Sequence, residues 1–120
     1  MTCTRPVRLS EEMIVPCGRC VNCRIAHSRE WATRIIHEAS MYDDTGFVTL
    51  TYDDEHLPED GGLRKKDFQD FLKLLRYHLG DVKIKYYMCG EYGEKNHRPH
   101  YHAIMFGVGY NHRKLVADVS

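Results

Sequence analysis

The chain has 120 residues, with 17 basic and 17 acidic side chains and 42% hydrophobic residues. This size and composition fit one small globular domain with a single core. A formal net charge of zero excludes a uniformly basic molecule that would attract nucleic acid through its overall field. No apolar run is long enough to span a bilayer, and residues 1–12 contain no apolar signal core, so we expect no membrane segment and no secretion.

The cysteine pattern dominates the N-terminal part of the chain. Five cysteines are an odd number, which argues against a disulfide framework. The Cys-x2-Cys-x2-Cys spacing of three of them lets their thiolates close around one ion, and a structural Zn²⁺ is the favoured metal. An iron–sulfur cluster or reduced, unliganded thiols are the alternatives. Cys3 and His27 are both available as a fourth ligand. We interpret residues 1–27 as an irregular, Cys-rich segment with a possible zinc site at Cys3, Cys17, Cys20 and Cys23.

Periodicity predicts a helix, a strand and a second helix after this segment. Apolar residues recur at helical spacing from about Ser28 to Tyr42. The run at 47–52 is β-branched and aromatic, which is typical of a strand. The clearest helix covers residues 63–80 and ends at Gly80. Its apolar stripe consists of Phe68, Phe71, Leu72, Leu75 and Leu79.

Two further strands complete the predicted domain. Residues 82–89 alternate between apolar and polar, and a turn rich in Gly and Asn separates them from a strand at 100–106. Cys89 is expected to be packed in the core. The order of elements predicts an α+β domain over residues 28–120. In it, helices pack on an antiparallel sheet built around a ferredoxin-like split β-α-β core.

A histidine pair lies in the last predicted strand. His100 and His102 share one face of the strand, whereas Tyr101 points to the other face and into the core. Same-face neighbours are about 6.5–7 Å apart, so both imidazoles can reach one ion, and an added carboxylate widens the choice of metal to Mg²⁺ or Mn²⁺. If the strands pair through the loop at 92–99, Glu91 lies opposite the histidines. A half-exposed polar face without a metal is the alternative. The second choices for a carboxylate or imidazole ligand are Glu94, His97, Asp53, Asp54 and Glu55.

Several stretches, in order, closely resemble the replication initiation proteins of the gokushoviruses, which are small single-stranded DNA phages of the microvirus family. These stretches are VPCGRCVNCR, HEAS, FVTLTYDDEHLP and CGEYGEKNHRPHYHAI, and they cover roughly residues 14–107. FVTLTY also resembles the first Rep motif of the HUH endonuclease superfamily, and RPHYHAIMFG resembles its His–hydrophobe–His motif. The resemblance implies an HUH/Rep-like version of the predicted fold.

The resemblance further implies a rolling-circle replication initiator that nicks single-stranded DNA. His100, His102 and an acidic residue, for which we choose Glu91, would hold Mg²⁺ or Mn²⁺ at the scissile phosphate. A tyrosine on a later helix would attack the phosphorus, leaving a 5′-phosphotyrosine and a 3′-OH that primes synthesis. The implied partners are single-stranded origin DNA and the host replication machinery, with no membrane, in the cytoplasm of the infected bacterium.

The family's nucleophilic tyrosine has no clear counterpart in this chain. Tyr110 and Lys114 are four residues apart, which places them on one helical face, but Tyr110 follows Gly107 too closely for the usual connection. We therefore expect residues 28–120 to lack the tyrosine helix, with Tyr110 as the candidate nucleophile in this chain. The alternative function is a truncated or inactive single-stranded-DNA-binding module with a structural zinc. A transposase of the same superfamily would share the histidines, but the cysteine cluster argues against it. The candidate DNA contacts are Arg98, Lys95 and Arg24.

Overall fold

The computed structural model describes residues 2–80, 82–109, 112, 114 and 116. The chain divides into two compact units, Met1–Ser40 and Met41–Ser120. The segment boundary expected after residue 27 therefore lies inside the first unit. In the described part of the chain, no helix is both long enough and apolar enough to cross a membrane.

The first unit consists of a short hairpin and one long helix. Strand β1 (Val7–Arg8) pairs antiparallel with β2 (Ile14–Val15), so the segment predicted to be irregular contains a small sheet. Helix α1 spans Val21–Ala39 rather than the predicted stretch from about Ser28 to Tyr42. The predicted start was wrong because the cysteines were assigned to a loop. In the structure Cys20 is the N-cap, and its sulfur accepts the backbone N–H of Cys23.

The second unit contains a three-stranded antiparallel sheet and one helix. The strands are β3 (Thr45–Thr51), β4 (Lys85–Tyr92) and β5 (Pro99–Phe106), in the order β3-β5-β4. Helix α2 (Lys65–Leu79) connects β3 to β4. Both outer strands run antiparallel to β5, so they run parallel to each other, and β5 is inserted into a β-α-β unit. The predicted α+β class with an antiparallel sheet is confirmed.

Helix α2 covers one face of this sheet. The predicted apolar stripe of α2 packs against the β5 side chains that point to that face, and the Phe68 ring lies 6.1 Å from the Tyr101 ring. As predicted, Tyr101 is a core residue, 4% exposed. The histidines project from the opposite face, where Phe47 is 67% exposed. The buried core consists of Phe68, Phe71, Leu72, Leu75, Ile84, Tyr101, Ala103, Met105 and Val108.

The Tyr101 hydroxyl group joins β5 to the start of α2. Arg64, the N-cap residue of α2, makes no capping hydrogen bond with its side chain. Instead, the Arg64 backbone N–H donates to the Tyr101 hydroxyl over 2.5 Å, and that hydroxyl donates to the Arg64 carbonyl over 2.8 Å. Tyr52 lies 2.9 Å from the same hydroxyl and donates to Asp67. Burial, Asp67 and Tyr101 raise the pKa of Tyr52, so it remains a protonated donor. The residue between the two histidines is thus fixed from the core side.

We expect Tyr101→Phe to lower the free energy of unfolding by about 1–3 kcal/mol, because the change leaves the backbone groups of Arg64 without their partner. Urea unfolding followed by circular dichroism measures this loss. Tyr77→Phe is the matched control, because Tyr77 lies on α2 and is 82% exposed. Equal stability of the two variants would contradict the assigned role of the Tyr101 hydroxyl.

Candidate metal centre

The central position of β5 places its histidines between two other strands. His100 pairs with Thr51 of β3 and with Glu91 of β4. The strand predicted at 82–89 in fact begins at Lys85 and ends at Tyr92, so Glu91 lies inside β4 rather than after it. The predicted pairing across the hairpin, with Glu91 opposite the histidines, is what the register shows.

The side chains of Glu91, His100 and His102 converge above the sheet. The Glu91 Oε2 atom lies 3.1 Å from His102 Nε2 and 3.6 Å from His100 Nε2. All three ligand atoms lie within 4.8 Å of one another, and the two imidazole rings are almost perpendicular, at 83°. Adjacent ligands of an octahedral ion with bonds of about 2.1 Å lie about 3 Å apart. Three side chains in this arrangement could hold one divalent ion and leave its outer positions open.

Each histidine uses its second ring nitrogen within the sheet. His100 Nδ1 lies 3.2 Å from the Arg98 carbonyl, which can only accept, so Nδ1 carries the proton and Nε2 keeps its lone pair. His102 Nδ1 lies 3.0 Å from the Thr49 hydroxyl, which can accept a proton in the same way. Such outer partners orient histidine ligands and set their tautomers. The Phe47 ring also stacks on His102, with centroids 5.4 Å apart.

Arg98 fixes the backbone beside His100. Its guanidinium group donates to Asp54 over 2.9 Å and to the Tyr52 carbonyl over 2.8 Å, which ties the loop after β3 to the start of β5. The side chain that the sequence suggested as a DNA contact therefore has two partners within the unit. The other suggested DNA contacts, Lys95 and Arg24, are exposed, in the β4–β5 turn and on α1 respectively.

The second-choice ligands do not join the histidines in the structure. Asp53 pairs with His56 over 2.6 Å; this contact lowers the pKa of Asp53 and raises the pKa of His56. Asp54 is held by Arg98, and Glu55, Glu94 and His97 are not part of the cluster. Tyr110 lies outside the described residues.

Cys89 is exposed, so the prediction that it is a core residue was wrong. Because β4 extends to Tyr92 and pairs Cys89 with His102, Cys89 belongs to the open face of the sheet. Sequence reasoning also missed Thr49 and Phe47. Their alternation in β3 places them on one face. Only the pairing of β3 with β5 shows that this face is the histidine face.

A second group of possible metal ligands lies in the N-terminal unit. The four sulfur atoms of Cys3, Cys17, Cys20 and Cys23 lie within 4.8 Å of one another and could bind a metal ion. The backbone N–H of Thr4 is the strongest of several groups that lower the pKa of Cys20 to about 5. The Gly18 N–H acts in the same direction on Cys23, but burial and the neighbouring sulfurs raise its pKa to about 12. Of the two fourth ligands considered, the structure brings Cys3 into the group and not His27.

Residues 45–118 match the family model of the replication-associated protein ORF2. This match covers more than half of the chain. The chain belongs to this family. All three residues of the histidine centre lie inside the matched region, and the four clustered cysteines precede it.

Phage members of the replication-associated protein family are similar to the chain over most of its length. Replication-associated protein VP4 of Bdellovibrio phage phiMH2K is 45% identical over 98 residues, which are 76% of this chain and 31% of VP4. Replication-associated protein ORF2 of Spiroplasma virus 4 is 41% identical over 78% of this chain and 32% of its own length. Replication-associated protein ORF4 of Chlamydia phage 1 is 38% identical over 78% of this chain and 24% of its own length. The resemblance to the replication proteins of gokushovirus-type microviruses is thereby confirmed.

The chain spans about a third or less of the length of these curated relatives. No solved structure matches the chain.

We expect Thr49→Val to weaken Mn²⁺ binding about 10–100-fold, because the change removes the hydroxyl partner of His102 Nδ1 while keeping the shape of the side chain. Calorimetric titration of the zinc-loaded protein with Mn²⁺ measures the affinity. Thr51→Val is the matched control, because Thr51 lies on the same face of β3 and pairs with His100. If both variants bind Mn²⁺ as the wild type does, Thr49 does not position His102.

Proposed function

We propose that this chain is the nicking part of a rolling-circle replication initiator, an HUH-type endonuclease that cuts single-stranded DNA at a phage origin. The observation that carries the proposal is the convergence of Glu91, His100 and His102 on one open sheet face in a replication-associated protein. The proposal extends the family membership to a reaction, and it concerns residues whose geometry suits that reaction.

Mg²⁺ or Mn²⁺ is the proposed cofactor at this centre. A carboxylate oxygen and two imidazole nitrogens suit Mn²⁺, and the carboxylate also suits Mg²⁺. His100 and His102 are 20% and 24% exposed, whereas Glu91 is 57% exposed, so the centre is fixed at its base and open at its rim. The bound ion polarises the scissile phosphate and offsets charge that builds on its oxygens. The residues themselves orient the donors through the partners of their Nδ1 atoms.

The open face also supports single-stranded DNA as the substrate. Phe47 is 67% exposed and stacks on His102, so one of its ring faces is covered by the metal centre and the side chain still reaches solvent. Unpaired bases stack on exposed aromatic rings, whereas bases in a duplex are already stacked on one another. Phe47 is therefore placed to hold a base next to the phosphate at the centre.

A tyrosine is the proposed nucleophile. Its oxygen forms a bond to phosphorus as the bond to the 3′ oxygen breaks, so the products are a 5′-phosphotyrosine and a free 3′-OH. Tyr101 does not fit this role, because it is buried on the opposite face and its hydroxyl is bound to Arg64. Tyr52 does not fit either, since its hydroxyl donates to Asp67. Tyr110 remains the candidate within this chain. The proposed partners are origin DNA and the host replication machinery, in the cytoplasm of the infected bacterium.

Single-stranded oligonucleotides that tile the genome of Bdellovibrio phage phiMH2K test this function. With Mn²⁺ or Mg²⁺, we expect the chain to cut one of them and to retain the 5′ end of the DNA as an adduct that survives denaturing electrophoresis. Glu91→Gln should reduce cutting strongly, and Glu94→Gln, in the same hairpin but outside the cluster, should not. Tyr110→Phe should remove the adduct if Tyr110 is the nucleophile.

Three results would count against the proposal. Cutting that persists in the presence of EDTA would remove the role of the metal. Cutting without an adduct would point to water as the nucleophile. Salt-sensitive DNA binding with no cutting in either metal would instead favour a single-stranded-DNA-binding module.

A further inference from the structure

We propose that Cys3, Cys17, Cys20 and Cys23 hold one Zn²⁺ ion in a closed, all-thiolate site that organises the N-terminal unit. These cysteines take no part in the proposed cutting reaction and lie outside the region matched by the family model. The inference is independent of the proposed function, because it rests on the geometry of these residues alone.

The spacing of the sulfur atoms fits a single tetrahedral ion. Zn–S bonds of about 2.3 Å place the ligands of a tetrahedral ion about 3.8 Å apart. The Cys17 and Cys23 sulfurs are 3.9 Å apart, and the Cys20 and Cys3 sulfurs are also 3.9 Å apart. All four lie within 4.8 Å of one another. A four-iron cluster has each thiolate on a different iron, which requires a wider spacing than this.

The donor set distinguishes this site from the histidine centre. Four thiolates are soft ligands that select Zn²⁺, whereas Mg²⁺ and Mn²⁺ prefer oxygen. Four protein ligands also fill a tetrahedral zinc ion and leave no position for substrate, which is the pattern of a structural site. His27 is not needed, because Cys3 completes the set.

Backbone N–H groups surround the sulfur atoms. The Cys17 N–H lies 3.3 Å from the Cys3 sulfur, and the N–H groups of Arg19 and Cys20 each lie 3.3 Å from the Cys17 sulfur. The Cys23 N–H lies 3.4 Å from the Cys20 sulfur. Hydrogen bonds of this kind stabilise the negative charge of thiolates, and such outer contacts fix the ligands of a metal site. The loop is therefore already folded around a charged sulfur cluster.

The N-terminal unit also needs such an ion for its stability. None of residues 2–40 is buried, and α1 contains no buried residue. Units of about 40 residues that lack a core are usually held by metals or disulfides, and no disulfide is present among these cysteines. A zinc ion would join the chain near Cys3 to the hairpin's exit at Cys17 and to the first turn of α1 at Cys20 and Cys23. The Asn22 side chain already bonds to the Thr2 carbonyl across this junction, over 2.7 Å.

Elemental analysis of the whole 120-residue chain, purified without added metal, tests the proposal. We expect about one zinc per wild-type chain, and the same content in Cys89→Ser and His27→Ala. Cys89 is the matched control, because it is a free cysteine outside the cluster. Cys3→Ser and Cys20→Ser should each lose most of the zinc.

Cobalt substitution of the wild type covers the case in which the cysteine variants fail to fold. We expect the intense red-region absorption of tetrahedral Co²⁺ together with strong sulfur-to-metal charge transfer, both removed by added zinc. Iron and labile sulfide in place of zinc, full zinc content in Cys3→Ser, loss of zinc in His27→Ala, or an octahedral cobalt spectrum would each overturn the all-thiolate zinc site.

Discussion

Replacing both histidines, His100→Ala together with His102→Ala, is expected to abolish the stabilisation of the protein by Mn²⁺ and its cutting of DNA. Glu91 would then be the one remaining ligand of the cluster, and it is mostly exposed. At a hundredfold excess of Mn²⁺ over its Kd, binding to the folded state alone adds about 2.7 kcal/mol. This corresponds to a rise of several degrees in the Tm of a chain of this size. Thermal melting of the zinc-loaded protein with and without Mn²⁺ measures the difference.

A second double variant controls for the general loss of imidazole groups. His56 and His78 are exposed histidines of the same unit, and neither belongs to the metal cluster. His56→Ala together with His78→Ala should keep both the Mn²⁺-dependent rise in Tm and any cutting activity. A rise in Tm that survives in the His100/His102 variant would place the Mn²⁺ site elsewhere.

The largest expected effect on stability comes from the core beneath the histidine strand. Leu75 is 0% exposed in α2, within the cluster that includes Tyr101 and Met105 of β5. Leu75→Ala should lower the free energy of unfolding by about 2–5 kcal/mol, because it removes buried methyl groups and leaves a cavity. This loss is large against the roughly 5–15 kcal/mol that is typical of small domains. Urea unfolding measures it.

Leu74→Ala is the matched control for this change. Leu74 is the preceding residue of the same helix and is 49% exposed, so the same substitution should cost much less. Comparable losses in the two variants would contradict the orientation of α2 on the sheet. Since the core lies on the face opposite the metal centre, Leu75→Ala should still show a Mn²⁺-dependent rise in Tm from its lower starting value.

The parts of the site that were predictable depend on local sequence. Alternation in a strand places His100 and His102 on one face and Tyr101 on the other, as the structure shows. A short turn between two strands restricts how they can pair, so Glu91 could be placed opposite His100. The stripe of α2 is also local, because its apolar residues recur at helical spacing.

The parts that were missed depend on distant pairing or on sequence patterns with two meanings. Thr49 becomes a partner of His102 only because β3 pairs with β5, far along the chain, and no local feature sets that register. Cys89 was assigned to the core because its strand was predicted to end too early. The start of α1 was missed because a cysteine can be both a metal ligand and a helix cap, and Cys20 occupies the cap position.

The most direct test of the metal centre is pulsed electron paramagnetic resonance of Mn²⁺ bound to the zinc-loaded wild-type chain. The structure predicts modulation from the nitrogens of two histidine ligands, reduced to one in His100→Ala and absent in the double histidine variant. Bound Mn²⁺ with no nitrogen coupling in the wild type would show an all-oxygen site, and would contradict the assignment of Glu91, His100 and His102 as a single metal centre.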